Sequence, residues 1–236
     1  MNTKKAKLGI FFIPIIVIVL IIISKIAIGP AFVGYIFLIS EDGPVEYATF
    51  IIYFVTFIIS LISAKIFFKR GKKSYGILYV AMALVFIFIA IEEISWGQRI
   101  LSLDLPEFFS ESNQDEMNIH DLPVVANFED PMIIMAGLIG GLLWIVFHKS
   151  KSTNFFNFKR FFVPGWYLMS YFLPVSIFYL ILNLTPAEQI SQEGFYWNFT
   201  FQKEQEPFEF LLSLGFFGFV LLNYIRLRNA KGKQNK

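Results

Sequence analysis

Six apolar runs fill about half of this chain, and each has close to the length needed to cross a lipid bilayer as a helix. A hydrocarbon core of about 30 Å requires roughly 20 apolar residues at the helical rise of 1.5 Å. The runs cover residues 8–28, 45–68, 75–94, 131–147, 161–182 and 208–224. The fourth and sixth are short, and their flanks supply the missing length. With 56% hydrophobic residues and a mean hydropathy of +0.61, the chain lies outside the range of about 45–50% apolar residues typical of soluble domains. The absence of cysteine removes disulfides, thiolate metal sites and thiol nucleophiles.

Charge orders these runs. Of the 20 basic residues, 17 fall in four segments: Lys4–Lys7, Lys65–Lys73, Lys149–Arg160 and Arg226–Lys236. No Asp or Glu occurs in them, and all 18 acids lie in the alternate segments or at the ends of the runs that adjoin those segments. Short cytoplasmic loops are enriched in Lys and Arg. Six alternating spans put every basic segment on the cytoplasmic side, whereas an odd number would scramble the pattern. The expected fold is an all-α polytopic membrane helix bundle. It has six transmembrane helices in one domain over residues 1–236, both termini cytoplasmic and outer loops at 29–44, 95–130 and 183–207. A bacterial inner membrane is the expected location, with the lipid bilayer as surroundings and no nucleic-acid partner.

Some local features need no function. The first run, with Ala27-Ile28-Gly29 at its end, fits either an uncleaved anchor or a signal peptide, and its length favours the anchor. Residues 30–40 are too short to span and read as an interfacial or re-entrant piece. Pro44 suits a first helical turn, with Asp42 as its cap. Glu129-Asp130-Pro131 reads as a helix start. Trp96, Trp166 and Trp197 fit interfacial belts. The basic tail after residue 224 is expected to be disordered.

The acids that topology does not explain gather on the outer side. Glu46 begins an apolar run, where an ionisable group is costly and is usually paired or functional. Glu92 and Glu93 close the third run, where a helix C-terminus disfavours negative charge. If the helix continues, Glu92, Ser95 and Arg99 share one face. Arg99 is the only outer-side arginine, able to grip a carboxylate or phosphate in two-point contact. In the loop Asn113–Asp121, an extended segment turns Glu116, Asn118 and His120 to one side. His120 is a competent base or metal ligand; His148 belongs to a basic loop and reads as a surface residue. Glu209, in the first turn of the last run, is the remaining acid able to face the bundle.

The motif Glu92-Glu93-Ile94-Ser95-Trp96-Gly97-Gln98-Arg99, with Asn113, Gln114, Glu116, Asn118 and His120 after it, resembles a group of uncharacterised bacterial multi-pass membrane proteins. The resemblance covers spans two to four and implies no activity. The paired glutamates followed by an arginine are also similar to the CAAX-type intramembrane metalloproteases. There the arginine follows more closely, and Gly97 stands in its place here. Glu116, rather than an aromatic residue, lies four before His120.

Two histidines are too few for haem bundles or fatty-acid hydroxylases, and HExxH and phosphate-binding glycine motifs are absent. A carboxylate-rich site with one His and one Arg suits a hard divalent cation. The first functional reading is a metal-assisted hydrolase or transferase acting on a lipid or lipid-linked substrate. In it Glu92, Glu93, Glu116 and His120 are catalytic, and Arg99, Asn118 and Gln98 bind substrate. Glu46, Glu92, Glu93 and His120 are the candidate metal ligands. A transporter or channel with an acidic vestibule is the second reading, and a non-catalytic subunit docking a partner through its outer loops is the third.

Overall fold

A computed structural model of the chain describes residues 4–28, 39, 43–106, 109, 117–119, 122–148, 156–185 and 205–234. Among them every regular element is a helix and there is no strand. The helices are α1 (Lys4–Ile28), α2 (Pro44–Lys69), α3 (Lys73–Glu92), the short α4 (Gln98–Leu101), α5 (Pro123–Phe147), α6 (Phe158–Phe162), α7 (Met169–Leu184) and α8 (Gln205–Gln234). Among the described residues, five stretches are long and apolar enough to cross a membrane: Pro44–Lys69, Lys73–Glu92, Asn127–Phe147, Phe158–Leu184 and Gln205–Ala230. The described residues are therefore all-helical, with the spans of an integral membrane protein. The first run coincides with α1, a helix of 25 residues. The piece expected at residues 30–40 lies outside the described residues apart from Ile39.

Three expectations need correction. Helix α5 begins at Pro123, so Glu129-Asp130-Pro131 sits inside it rather than at its start. A polar triplet marks where the apolar stretch begins, and the helix is free to begin earlier. Pro123 suits an N-terminal turn, and Pro131 removes only one intrahelical donor. The basic tail is also not disordered throughout, because α8 runs on to Gln234. Lys and Arg are good helix formers and are favoured at a helix C-terminus. The fifth span is interrupted: α6 ends at Phe162, Val163 and Gly165 are extended (φ −105°, ψ 114°; φ −75°, ψ 151°), and a 3-10 turn over Trp166–Leu168 leads into α7. Pro164 lacks a donor and pushes Val163 out of the helical region. Phe161, Val163, Pro164, Tyr167 and Leu168 are buried by the surrounding protein, the condition under which non-helical backbone is tolerated at membrane depth.

The chain forms two compact units, Met1–Glu46 with Asn127–Gly215, and Tyr47–Ala126 with Phe216–Lys236. In the first unit, α1 packs on α7 and on the turn before it. The Phe11 and Trp166 rings are 5.8 Å apart, and Lys7 Nζ lies 5.6 Å over the Tyr167 ring. Gly137, Gly140 and Gly141 put one face of α5 against α7. A Cβ at Gly137 would sit 2.1 Å from Ser176 Oγ, and one at Gly140 2.3 Å from the Phe172 ring. Small residues bring helix backbones close enough for polar side chains to reach across, and Ser176 Oγ donates to the Ile134 carbonyl at 2.8 Å.

In the second unit, α2 buries Thr49, Tyr53, Thr56, Ser60, Ser63, Ala64 and Phe67 at helical spacing. Opposite them α3 buries Gly76, Tyr79, Ala83, Phe86 and Ala90. Tyr53 stacks on Phe86, and Phe67 meets Tyr75 and Tyr79. Asn223 Nδ2 donates to Tyr79 Oη at 2.9 Å, and Arg226 donates to Asn223 Oδ1 at 2.8 Å. Ile51, Ile77, Leu84 and Val85 point outward. Lipid surrounds as apolar as leucine leave polar and small groups inside and aliphatic ones outside.

Like charge gathers with like charge within each unit. In the second, Arg70 at the end of α2 donates to the Leu227 carbonyl of α8 at 2.7 Å, joining two basic segments. In the first, Lys159 donates to the carbonyl of the exposed His148 at 3.0 Å. At the other end of that unit Asn183 joins Asp130, and Tyr179 joins Glu209.

Candidate functional site

The third span ends abruptly at its two glutamates. Glu92 is the last residue of α3, and Glu93 caps it, its N–H donating back to the Ile89 carbonyl. The helix does not continue, so Glu92, Ser95 and Arg99 do not share a helical face. Instead the chain leaves the helix through a left-handed kink, with φ +46° at Ser95, +54° at Trp96 and +77° at Gly97. Glycine adopts this region freely, whereas other L-residues meet a cost of roughly 1–2 kcal/mol each. Two non-glycine residues in succession therefore need support from their surroundings. The structure supplies some: the Gly97 N–H donates to the Ile94 carbonyl at 2.7 Å, and the Trp96 indole N–H donates to Glu92 Oε1. The Trp96 ring also meets the edge of Phe88, one turn back on α3.

This turn makes Glu92 the centre of a polar knot. One carboxylate oxygen takes the Trp96 indole, and the other takes the backbone N–H of Ile119 at 2.8 Å. A second tether lies beside the first: Gln98 Oε1, at the start of α4, accepts the backbone N–H of Met117 at 2.7 Å. Residues 117–119 are thereby pinned to the acidic end of α3, although 27 residues separate Glu92 from Ile119. Asn118, between the two pinned amides, is 4% exposed. Among the described residues, Glu92 is the one charged side chain in the buried class, at 5% exposure. A buried carboxylate is tolerated when its acceptors meet donors, and here each oxygen meets one.

The expected site residues thus divide. Glu92, Gln98 and Asn118 come together at the knot. Glu93 lies half-buried beside it in sequence, at the helix cap. Glu46 is half-buried in the first turn of α2 and belongs to the other compact unit. Glu116 and His120 lie outside the described residues, and Arg99 is described by its backbone alone. Asn118 is buried, while its neighbours Met117 and Ile119 are half-buried.

A second polar constellation occupies the acidic end of the first unit. Tyr179, fully buried on α7, donates its hydroxyl to Glu209 of α8. One turn on, Asn183 Nδ2 donates to Asp130 Oδ2 at 2.7 Å and to the Tyr179 carbonyl at 3.0 Å. Glu206 and Glu209 share a face of α8, with carboxylate oxygens within 4.8 Å of each other. Glu209 faces its neighbours, as its place in an apolar first turn implied. Tyr179 and Asn183 were missed: a lone tyrosine in an apolar run reads as packing, and Asn183 falls just past the run's end. Their i, i+4 spacing was the available signal.

No protein-family model, curated protein or solved structure matches the chain.

Proposed function

We propose that the protein is a membrane-embedded hydrolase or transferase working at the outer leaflet on a lipid or lipid-linked substrate. One observation carries this reading: a loop segment is pinned by two side chains onto the acidic end of a membrane span. The two bonds hold Met117 and Ile119 at that end of the span, and held geometry is what catalysis requires. The flanking residues in sequence are Glu116 and His120, an acid and a base. Glu92 takes a different role from the one its sequence position implied. Both its oxygens already accept protein N–H groups, so it is a positioning residue for the loop. Gln98 acts alongside it. Glu93, Glu116 and His120 are then the groups for acid–base work or for holding a divalent cation, and Arg99 and Asn118 those for the polar part of the substrate.

The same reading makes α1 a sixth crossing and puts both termini in the cytoplasm of a bacterial cell. The bond from Arg70 to the Leu227 carbonyl brings two basic segments to one end of a unit, which supports a shared side for those two segments. A transporter gains no support, since among the described residues no charged side chain is buried within a span except Glu92 at its very end.

The test is lipid turnover by purified protein in phosphatidylethanolamine–phosphatidylglycerol vesicles, followed by mass spectrometry. Manganese or magnesium, then a chelator, would be added in turn. Wild type should release product, Glu93→Gln and His120→Ala should lose most of the rate, and chelation should do the same. Turnover unaffected by either substitution would refute the assignment. A second reading, a docking platform without chemistry, is favoured by the full engagement of Glu92, and it predicts no turnover in any sample.

A further inference from the structure

The segment after the left-handed turn is built inside out. Trp96, Ile100, Leu101 and Leu103 are 39%, 59%, 66% and 45% exposed, while Gln98, among them in sequence, turns inward to hold Met117. Four large apolar groups exposed within eight residues mark a surface that something apolar covers. What covers it follows from continuity. Phe88, Leu84 and Val85 are exposed on α3, within a stretch that is long and apolar enough to cross a membrane. The Trp96 ring stands edge-on to Phe88 at 6.2 Å, so the apolar surface of the span continues onto the first residue of this segment. Tryptophan at such a junction is the usual interfacial anchor. Exposed Asp104 marks where the chain meets polar surroundings again.

We infer that Trp96, Ile100, Leu101 and Leu103 form a lipid-facing foot, covered by the acyl and headgroup boundary of the bilayer that the protein spans, so that the knot of Glu92, Gln98 and Asn118 lies at headgroup depth. The consequence for substrate rests on the functional reading above. A polar site with a lipid-covered flank is reached sideways from the bilayer, so its substrate is an amphiphile whose tail stays in the membrane. A water-soluble substrate has no need of such a flank.

The absence of cysteine makes the test direct, because a single introduced cysteine is unique. Spin labels at Ile100→Cys and Leu101→Cys would be read in phosphatidylcholine–phosphatidylglycerol vesicles. Val85→Cys serves as the lipid control and Lys73→Cys as the water control. Accessibility to oxygen and to a water-soluble nickel chelate would be measured for each. The two foot positions should lose nickel accessibility and lie about 5–10 Å into the headgroup and acyl boundary. Quenching of native Trp96 by brominated lipid, with Trp96→Phe subtracted, gives a second measure should a labelled variant fold poorly. Nickel accessibility equal to that at Lys73 overturns the proposal. So does spin–spin broadening that vanishes on dilution with unlabelled protein, because a second copy then covers the foot. Labels in lipid without any lipid turnover would sink the substrate reading and leave the foot standing. Labels in water with turnover intact would do the reverse.

Discussion

Replacing Glu92 by glutamine keeps the shape of the side chain and removes half of what it does. The carboxylate offers two acceptor oxygens, one to the Trp96 indole and one to the Ile119 amide at 2.8 Å. Glutamine offers one acceptor and presents an NH2 group where the other stood. Either Trp96 or Ile119 then faces a donor with its own donor. A hydrogen bond to a charged group contributes about 1.5–3 kcal/mol, and a stranded buried donor costs about 1–3 kcal/mol. Glu92 is 5% exposed, so solvent screening removes little of this. At 1.4 kcal/mol per tenfold, the opening of segment 117–119 should become roughly 10–100 times more frequent. Hydrogen exchange of the protein in lipid nanodiscs reads this directly. Protection at the Ile119 amide should fall by that factor in Glu92→Gln. It should fall further in Glu92→Ala, which lacks any acceptor. The Met117 amide, held separately by Gln98, should lose less, and amides around Ala83 in the core of α3 should not change. Unaltered Ile119 protection in Glu92→Ala would refute the idea that Glu92 holds the loop.

Three other changes test the packing. Gly140→Leu must drive a side chain into the Phe172 ring, which a bare Cβ already meets at 2.3 Å; a loss of at least about 1–3 kcal/mol is expected, and an unchanged Tm would show that the α5–α7 seam is looser than described. Asn223→Ala removes the donor to buried Tyr79 and an acceptor of Arg226. It should lower stability by about 2 kcal/mol, or roughly 4–8 °C in Tm for a chain of this size. Tyr179→Phe deletes only the hydroxyl that reaches Glu209. It should cost about 1.5–3 kcal/mol by denaturant unfolding, and a neutral result would place that hydroxyl outside the working structure.

Much of the fold was readable because the bilayer imposes a length and an apolar content that few other constraints produce. Glu92 stood out for the right reason, as a carboxylate placed against local preference, but its role was hidden. The partner that explains it, the Ile119 backbone, is distant in sequence, and a backbone amide leaves no mark in composition. The left-handed turn was equally hard to foresee, because Ser95 and Trp96 are poor candidates for positive φ and only Gly97 hints at it. Helix limits were misjudged at Pro131 and after Tyr224 for a shared reason: hydropathy reports where lipid begins, while hydrogen bonding decides where a helix ends. The break at Val163–Gly165 did carry a signal in Pro164-Gly165, which the apolar residues around it masked.

The inward hydroxyls and outward aliphatics of α2 carry a consequence for how this protein tolerates change. Along Thr49, Thr56, Ser60 and Ser63, all fully buried, a swap to leucine adds bulk where neighbouring helices leave no room. At Ile51, Ile58 and Ile62, all exposed, leucine, valine or phenylalanine face only fluid lipid. A saturation scan ranked by hydrophobicity, as for a water-soluble domain, would therefore order these positions backwards. The greasiest sites should prove the most permissive, and the smallest, most polar ones the least.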